Sequence, residues 1–183
     1  MANLYIDTCC FIDLLRGVAG VDIVEGREQD IWYTERIIDA SKANDMQAHT
    51  SFLTFAECTH VRDDNHNRII TDEIKDLIES WLLSPTGGIT LVEPTIFVVD
   101  RIRQLAWEHN IYMKGFDSIH VASALDSNCD EFLTYDDRIG SDTREAIYNI
   151  TGLRICRPSE TGLLPNEYRQ DELLDGQEEN QPD

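Results

Sequence analysis

Short apolar runs that end on an acidic or hydroxyl residue and turn at once into helical spacing recur along this chain, and they dictate its architecture. In "NLYIDTCCFIDLLRG", Leu4, Tyr5 and Ile6 form such a run, Asp7 and Thr8 close it, and Phe11, Ile12, Leu14 and Leu15 then repeat as one face of a helix. A strand through Ala48 to Ser51 leads into the helix of "SFLTFAECTHV". One through Ile89 to Val92 leads into a helix opened by Pro94, with Val98, Ile102, Leu105 and Ala106 on its apolar side. Phe132 to Thr134 and Leu153 to Cys156 read as the last strands, with a helix between them. Further helices are predicted over Ile31 to Ala43, over the amphipathic stretch from Ile70 to Ser84, and over "FDSIHVASAL". Strands alternating with helices predict an α/β fold with a mainly parallel sheet covered on both faces. Trp32, Trp81 and Trp107 fall on the helix patterns, where packing is the default role. At 183 residues, with no internal repeat, one domain can bury a core without disulfide or metal staples.

Four acids stand at the junctions of this pattern. Asp7 closes the first strand and Asp136 follows the strand that ends at Thr134. Ligands of open α/β sheets bind beyond the carboxyl ends of strands, so the pair can share one crevice. Asp117 heads a helix, where an N-cap or first-turn role is the competing reading. Glu57 lies inside a helix, where a solvated face competes. Two carboxylates about 4 Å apart repel by roughly 4 kcal/mol at an effective dielectric of about 20, so a cluster must keep protons or hold a cation. An oxygen-only set without a cysteine or histidine pair favours Mg²⁺ or Mn²⁺, and such a site suits hydrolysis of phosphodiesters. His120, three residues after Asp117 and on the same helix face, reads as a histidine satisfied by a local hydrogen bond or as one that orients a carboxylate.

The net charge of −20 opposes a nucleic-acid substrate, since neutralised phosphates supply most non-specific affinity. Part of the excess sits after Pro158, where Glu160, Glu167, Asp171, Glu172, Asp175, Glu178, Glu179 and Asp183 face only Arg169. Residues 159–183 therefore read as an acidic, disordered tail to a domain of residues 1–158. Arg16, Lys114 and Arg138 are the cations near the acids in sequence. Five cysteines, with Cys9 and Cys10 adjacent and Cys58, Cys129 and Cys156 apart, make neither a disulfide framework nor a zinc pattern. No secretory signal and no membrane-length apolar run is visible, so a cytoplasmic protein without membrane contact is expected.

The segments "YIDTCCFIDLLRG", "TFAEC", "GFDSIHVASAL" and "FLTYDDRIG" resemble, in order, the successive motifs of the PIN domain, closest to the VapC-type toxin ribonucleases. The resemblance covers Asn3 to Pro158. It implies a three-layer α/β/α fold, a Mg²⁺ or Mn²⁺ site, and endoribonuclease activity leaving a 5′-phosphate and a 3′-hydroxyl. It further implies that Asp7, Glu57, Asp117 and Asp136 are the metal-binding and catalytic acids, with Thr8 and Thr134 as supporting hydroxyls. Asp137 sits near the position of an additional acid found in some members, but shifted. Partners implied are an RNA substrate, an antitoxin protein whose segment lies in the active-site groove, and a second copy in a homodimer. The long loop before Ile31, the tail and the acidity depart from a minimal toxin. The alternatives are an RNA-processing PIN nuclease outside a toxin–antitoxin pair and a non-cleaving module that docks a basic partner. A phosphoaspartate protein using Asp7 as nucleophile ranks last, because Cys9 stands where its second Asp belongs and no lysine follows the strand ending at Thr134.

Overall fold

Among the described residues, five strands make one sheet: β1 (Asn3–Ile6), β2 (Gln47–Ser51), β3 (Ile89–Val92), β4 (Glu131–Leu133) and β5 (Arg154–Cys156). Their order is β3-β2-β1-β4-β5, and every pairing is parallel. The computed structural model describes residues 1–169, so the remainder of the expected tail lies outside the described residues. The chain lays β2 and β3 on one side of β1, then crosses back to add β4 and β5 on the other. The direction of winding thus reverses between β1 and β4, and in open sheets the crevice at such a reversal is where ligands bind.

Helices α1 (Thr8–Val18), α2 (Glu28–Lys42), α3 (Phe52–Cys58) and α4 (Asp72–Leu82) cover one face; α5 (Ile96–His109), α6 (Gly115–Asp126) and α7 (Ser141–Thr151) cover the other. The alternation of side chains along β1 shows why both faces need cover. Leu4 and Ile6 pack with Leu15, Ile37 and Ile74, whereas Tyr5 packs with Leu105, Val121, Phe132 and Ile147. Leu4, Tyr5 and Ile6 are fully buried, each such side chain contributing about 1.5–3 kcal/mol. Tyr5 stacks on Phe132 of the neighbouring strand with ring centroids 5.2 Å apart. The result is a three-layer α/β/α domain.

Three details differ from the pattern read in the sequence. α4 starts after Ile70, because the Thr71 hydroxyl caps it by accepting from the Ile74 amide at 3.2 Å. Trp32 and Trp81 pack on the core, but Trp107 is 73% exposed with Arg103 over its ring. The segment after Pro158, assigned by composition to the tail, packs onto the body up to residue 169. There the buried Asp30 of α2 accepts from the Ser159 amide (3.1 Å) and hydroxyl (2.6 Å) and pairs with Arg157, and Leu164 is buried. Among the described residues no helix is long and apolar enough to cross a membrane.

Candidate active site

Asp7 follows β1 directly. Its amide continues the β1–β4 pairing by donating to the Leu133 carbonyl at 3.0 Å, and its extended backbone makes it the N-cap of α1. One carboxylate oxygen accepts from the Thr8 amide (2.8 Å); the other accepts from the Thr134 hydroxyl (2.7 Å) and the Cys9 thiol (3.2 Å). Thr134 is fully buried, and its oxygen also accepts from the Asp136 amide at 3.0 Å. A single hydroxyl therefore fixes the carboxylate after β1 and the backbone of the acid after β4.

Arg138 joins these to the third acid. Its Nε donates to Asp136 Oδ2 at 2.6 Å and its Nη2 contacts the same oxygen, while Nη2 also lies 3.2 Å from Asp117 Oδ1. Asp117 is in the first turn of α6, as the competing reading of its position had it, and its carboxylate nevertheless faces the crevice cation. Burial pushes the Asp117 carboxyl up, as do the charges of Asp136 and Asp7, with Arg138 opposing. Burial also acts upward on Asp136, but bonds from Arg138 and the charges of Arg138 and Arg144 bring it below its ordinary value. The Arg138 guanidinium is in turn held more firmly protonated, by its bond to Asp136 and by the charges of Asp117 and Asp7. All three aspartates thus act on one organic cation.

Glu57 comes in from α3, which starts at Ser51 because that side chain accepts from the Leu53 amide at 3.2 Å. It is not simply solvated. Its Oε2 accepts from the Thr8 hydroxyl (2.5 Å) and lies 3.1 Å from His120 Nε2. His120 is 2% exposed, and its Nδ1 lies 2.8 Å from the hydroxyl of the fully buried Tyr5. With a neutral imidazole the order is fixed: Tyr5 donates to Nδ1, and Nε2–H donates to Glu57. Burial pushes the Glu57 carboxyl up, but the bonds from His120 and Thr8 outweigh it and leave the group below its usual range. The histidine takes an orienting position, with its partners on other elements rather than local.

Among the described residues, no three acids, histidines or cysteines stand close enough together to hold a metal ion as they are. The donor chemistry still fits a hard divalent cation: the groups are carboxylates and hydroxyls, partly open to solvent, already arranged about a positive charge that an ion could replace. Asp137 lies apart, lining a cavity of about 200 Å³ with Arg27 and Arg157. Arg16 is engaged elsewhere, by the Arg62 carbonyl and Asp64. Lys114 lines a cavity of about 490 Å³ that Glu57, Asp117 and Arg138 also line. A cavity of about 520 Å³ beside Asp130 and Gly152, at the opposite ends of β4 and β5, contains none of the four acids. Tyr5 and the bridging by Arg138 were not anticipated; a basic residue two places after Asp136 was the one visible signal.

An all-parallel three-layer domain with carboxylates gathered at its winding reversal defines a class of α/β proteins with an acidic site at the strand ends. The family model for the PIN domain matches residues 4–141, and the chain belongs to that family. PIN domains are generally nucleases that use divalent metal ions. No curated protein matches the sequence.

Proposed function

We propose that this protein is a divalent-metal-dependent endoribonuclease, the toxin of a toxin–antitoxin pair. The observation that supports the activity most is the pairing of Asp117 and Asp136 with one cation at the carboxyl ends of the strands, beside Asp7, which accepts from the same Thr134 hydroxyl that holds the Asp136 amide. In this reading the three aspartates hold Mg²⁺ or Mn²⁺ in place of the Arg138 guanidinium. The bound ion supplies an activated water and neutralises charge at the phosphate. Thr134 keeps Asp7 aimed into the crevice, and Glu57, oriented by Thr8 and His120, positions the attacking water. Arg138 is 71% exposed on a short connection to Asp136, so once displaced it can turn to a phosphate oxygen of the substrate.

The acidic crevice also suits a basic segment of an antitoxin, which could take the position of Arg138. Phe52, Ile96, Phe97 and Val99 expose an apolar surface around the start of α5, with Phe52, Pro94 and Thr95 lining one shallow cavity. This supports a homodimer, which sedimentation of the wild type and of Phe97→Asp would test.

The activity is tested by incubating the purified chain with a pool of structured and single-stranded RNA in Mn²⁺ or Mg²⁺, beside EDTA and Asp7→Asn controls. Cutting that disappears in both controls is the expected result. An Asp7→Asn protein that cuts as well as the wild type would refute the assignment.

A further inference from the structure

The cavity of about 490 Å³ beside Asp117 has a composition the carboxylate chemistry does not explain. Tyr112 and Phe116 line it and remain 70% and 55% exposed, an arrangement that leaves aromatic surface without a protein partner. Lys114, between them in sequence, forms no ion pair among the described residues, and Arg138 lines the same cavity and pairs with Asp117 and Asp136. Glu57 and Asp117 line the hollow beside these two cations, and with a divalent ion held by the acids, as the proposed function has it, Lys114 and Arg138 are left to meet a polyanion on a chain of net charge −20. The backbone builds this rim deliberately. Gly115 has φ +47°, and nothing lies within 4 Å of where a Cβ would be, so the glycine is required by conformation and not by crowding. That turn carries the chain from Lys114 into α6 and sets Lys114, Phe116 and Asp117 on one edge.

We propose that this cavity seats one unpaired nucleobase of the substrate, stacked on Tyr112 and Phe116, while Lys114 and Arg138 meet the phosphates on either side of it. The proposal rests on the nuclease reading and adds to it a seat for one base beside the scissile phosphate. The geometry explains the placement. Glu57, Asp117 and Arg138 wall both the cavity and the crevice, so a strand with its scissile phosphate at the acids carries an adjoining base across the cavity mouth. A cavity of this size is in the range of small-ligand sites, about 300–1,000 Å³. Bases can be splayed onto aromatic side chains only where they are unpaired; in a duplex they are stacked and closed to such contact.

The test is fluorescence anisotropy of a labelled, mixed-sequence oligoribonucleotide, single-stranded or annealed, with the full chain carrying Asp7→Asn in Mg²⁺ so that nothing is cut. Adding Tyr112→Ala or Phe116→Ala should weaken single-strand binding about ten-fold. Tyr112→Trp should retain it, and the duplex should bind weakly and respond to neither alanine. Mn²⁺ affinity, measured by calorimetry in the Asp7-intact chain with each alanine, should not change, which separates a lost base contact from a damaged acid site. Equal single-strand binding by the alanine variants would overturn the proposal. So would unchanged binding with loss of a dimer by light scattering, which would assign the aromatic surface to a second protein chain. Wild-type cutting of RNA alongside unaffected alanine variants would sink the base site alone; neither binding nor cutting would sink the nuclease reading with it.

Discussion

Nη2 of Arg138 lies 3.2 Å from Oδ1 of Asp117, an acid twenty-one positions earlier in the chain and on a different element. The same guanidinium holds Asp136, so the protein presents Asp117 and Asp136 already paired with a cation. A metal ion entering the crevice must displace this arginine.

Arg138→Gln should therefore bind Mn²⁺ more tightly. The arginine is largely exposed, and exposed ion pairs are worth about 0–1 kcal/mol each, so the gain is up to about five-fold per pair released. The same variant should cut RNA more slowly at saturating metal, because the phosphate loses a charged donor. Calorimetry with Mn²⁺ decides the first point; equal affinities would mean that the guanidinium yields without competing.

Thr134 carries more of the site than its size suggests. Its hydroxyl donates to Asp7 and accepts from the Asp136 amide, and it is fully buried. Thr134→Val keeps the shape but strands the Asp136 amide and frees the Asp7 carboxylate. Loss of such an orienting bond typically costs about 10–100-fold in metal affinity or activity, and loss of the hydrogen bond to the part-buried amide about 0.5–1.5 kcal/mol of stability. Thr134→Ser should recover both. Valine cutting at the wild-type rate would show that Asp7 needs no positioning.

Repulsion among the acids is visible in Asp117, whose carboxyl is pushed up by burial and then by Asp136 and Asp7. At neutral pH the ionised group thus works against folding while no metal is present. Asp117→Asn should raise the melting temperature in EDTA, read by scanning calorimetry. Excess Mn²⁺ should reverse the order, since the wild type alone gains the full donor set. A less stable Asn variant in EDTA would show that the ion pair with Arg138 outweighs the repulsion.

Asp7 and Asp136 were legible in the sequence because an apolar run ending on an acid marks the carboxyl end of a strand, and an alternating chain makes such ends meet. Family motifs supplied Glu57 and Asp117, which local pattern alone left open between site and surface. The Arg138 bridge was not legible, because its span depends on how α6 settles beside β4, a tertiary distance no local period encodes. Trp107 misled for a related reason: it sits on a helix but off the stripe of Val98 and Leu105 that faces the core. Composition likewise hid the packed segment after Pro158, where a few contacts of Ser159, Thr161 and Leu164 outweigh the acidic character around them.

The least legible contact is also the most testable, since Tyr5 and His120 are 115 positions apart and meet only through the sheet. With the imidazole neutral, the buried phenol donates to Nδ1 and leaves Nε2–H for Glu57, which makes Tyr5 a positioning residue two bonds removed from the crevice. Tyr5→Phe leaves Nδ1 buried without a donor, at a cost of about 1–3 kcal/mol, and lets the imidazole change tautomer. Cleavage should then fall because Glu57 loses its fixed donor, with the maximal rate affected and RNA affinity largely kept. His120→Ala should produce a similar fall in rate. In a double-mutant cycle the two losses should be less than additive by at least about 0.5 kcal/mol, the lower end for directly coupled residues. Strict additivity would break the relay, leaving Tyr5 as a core residue and Glu57 oriented by Thr8 alone.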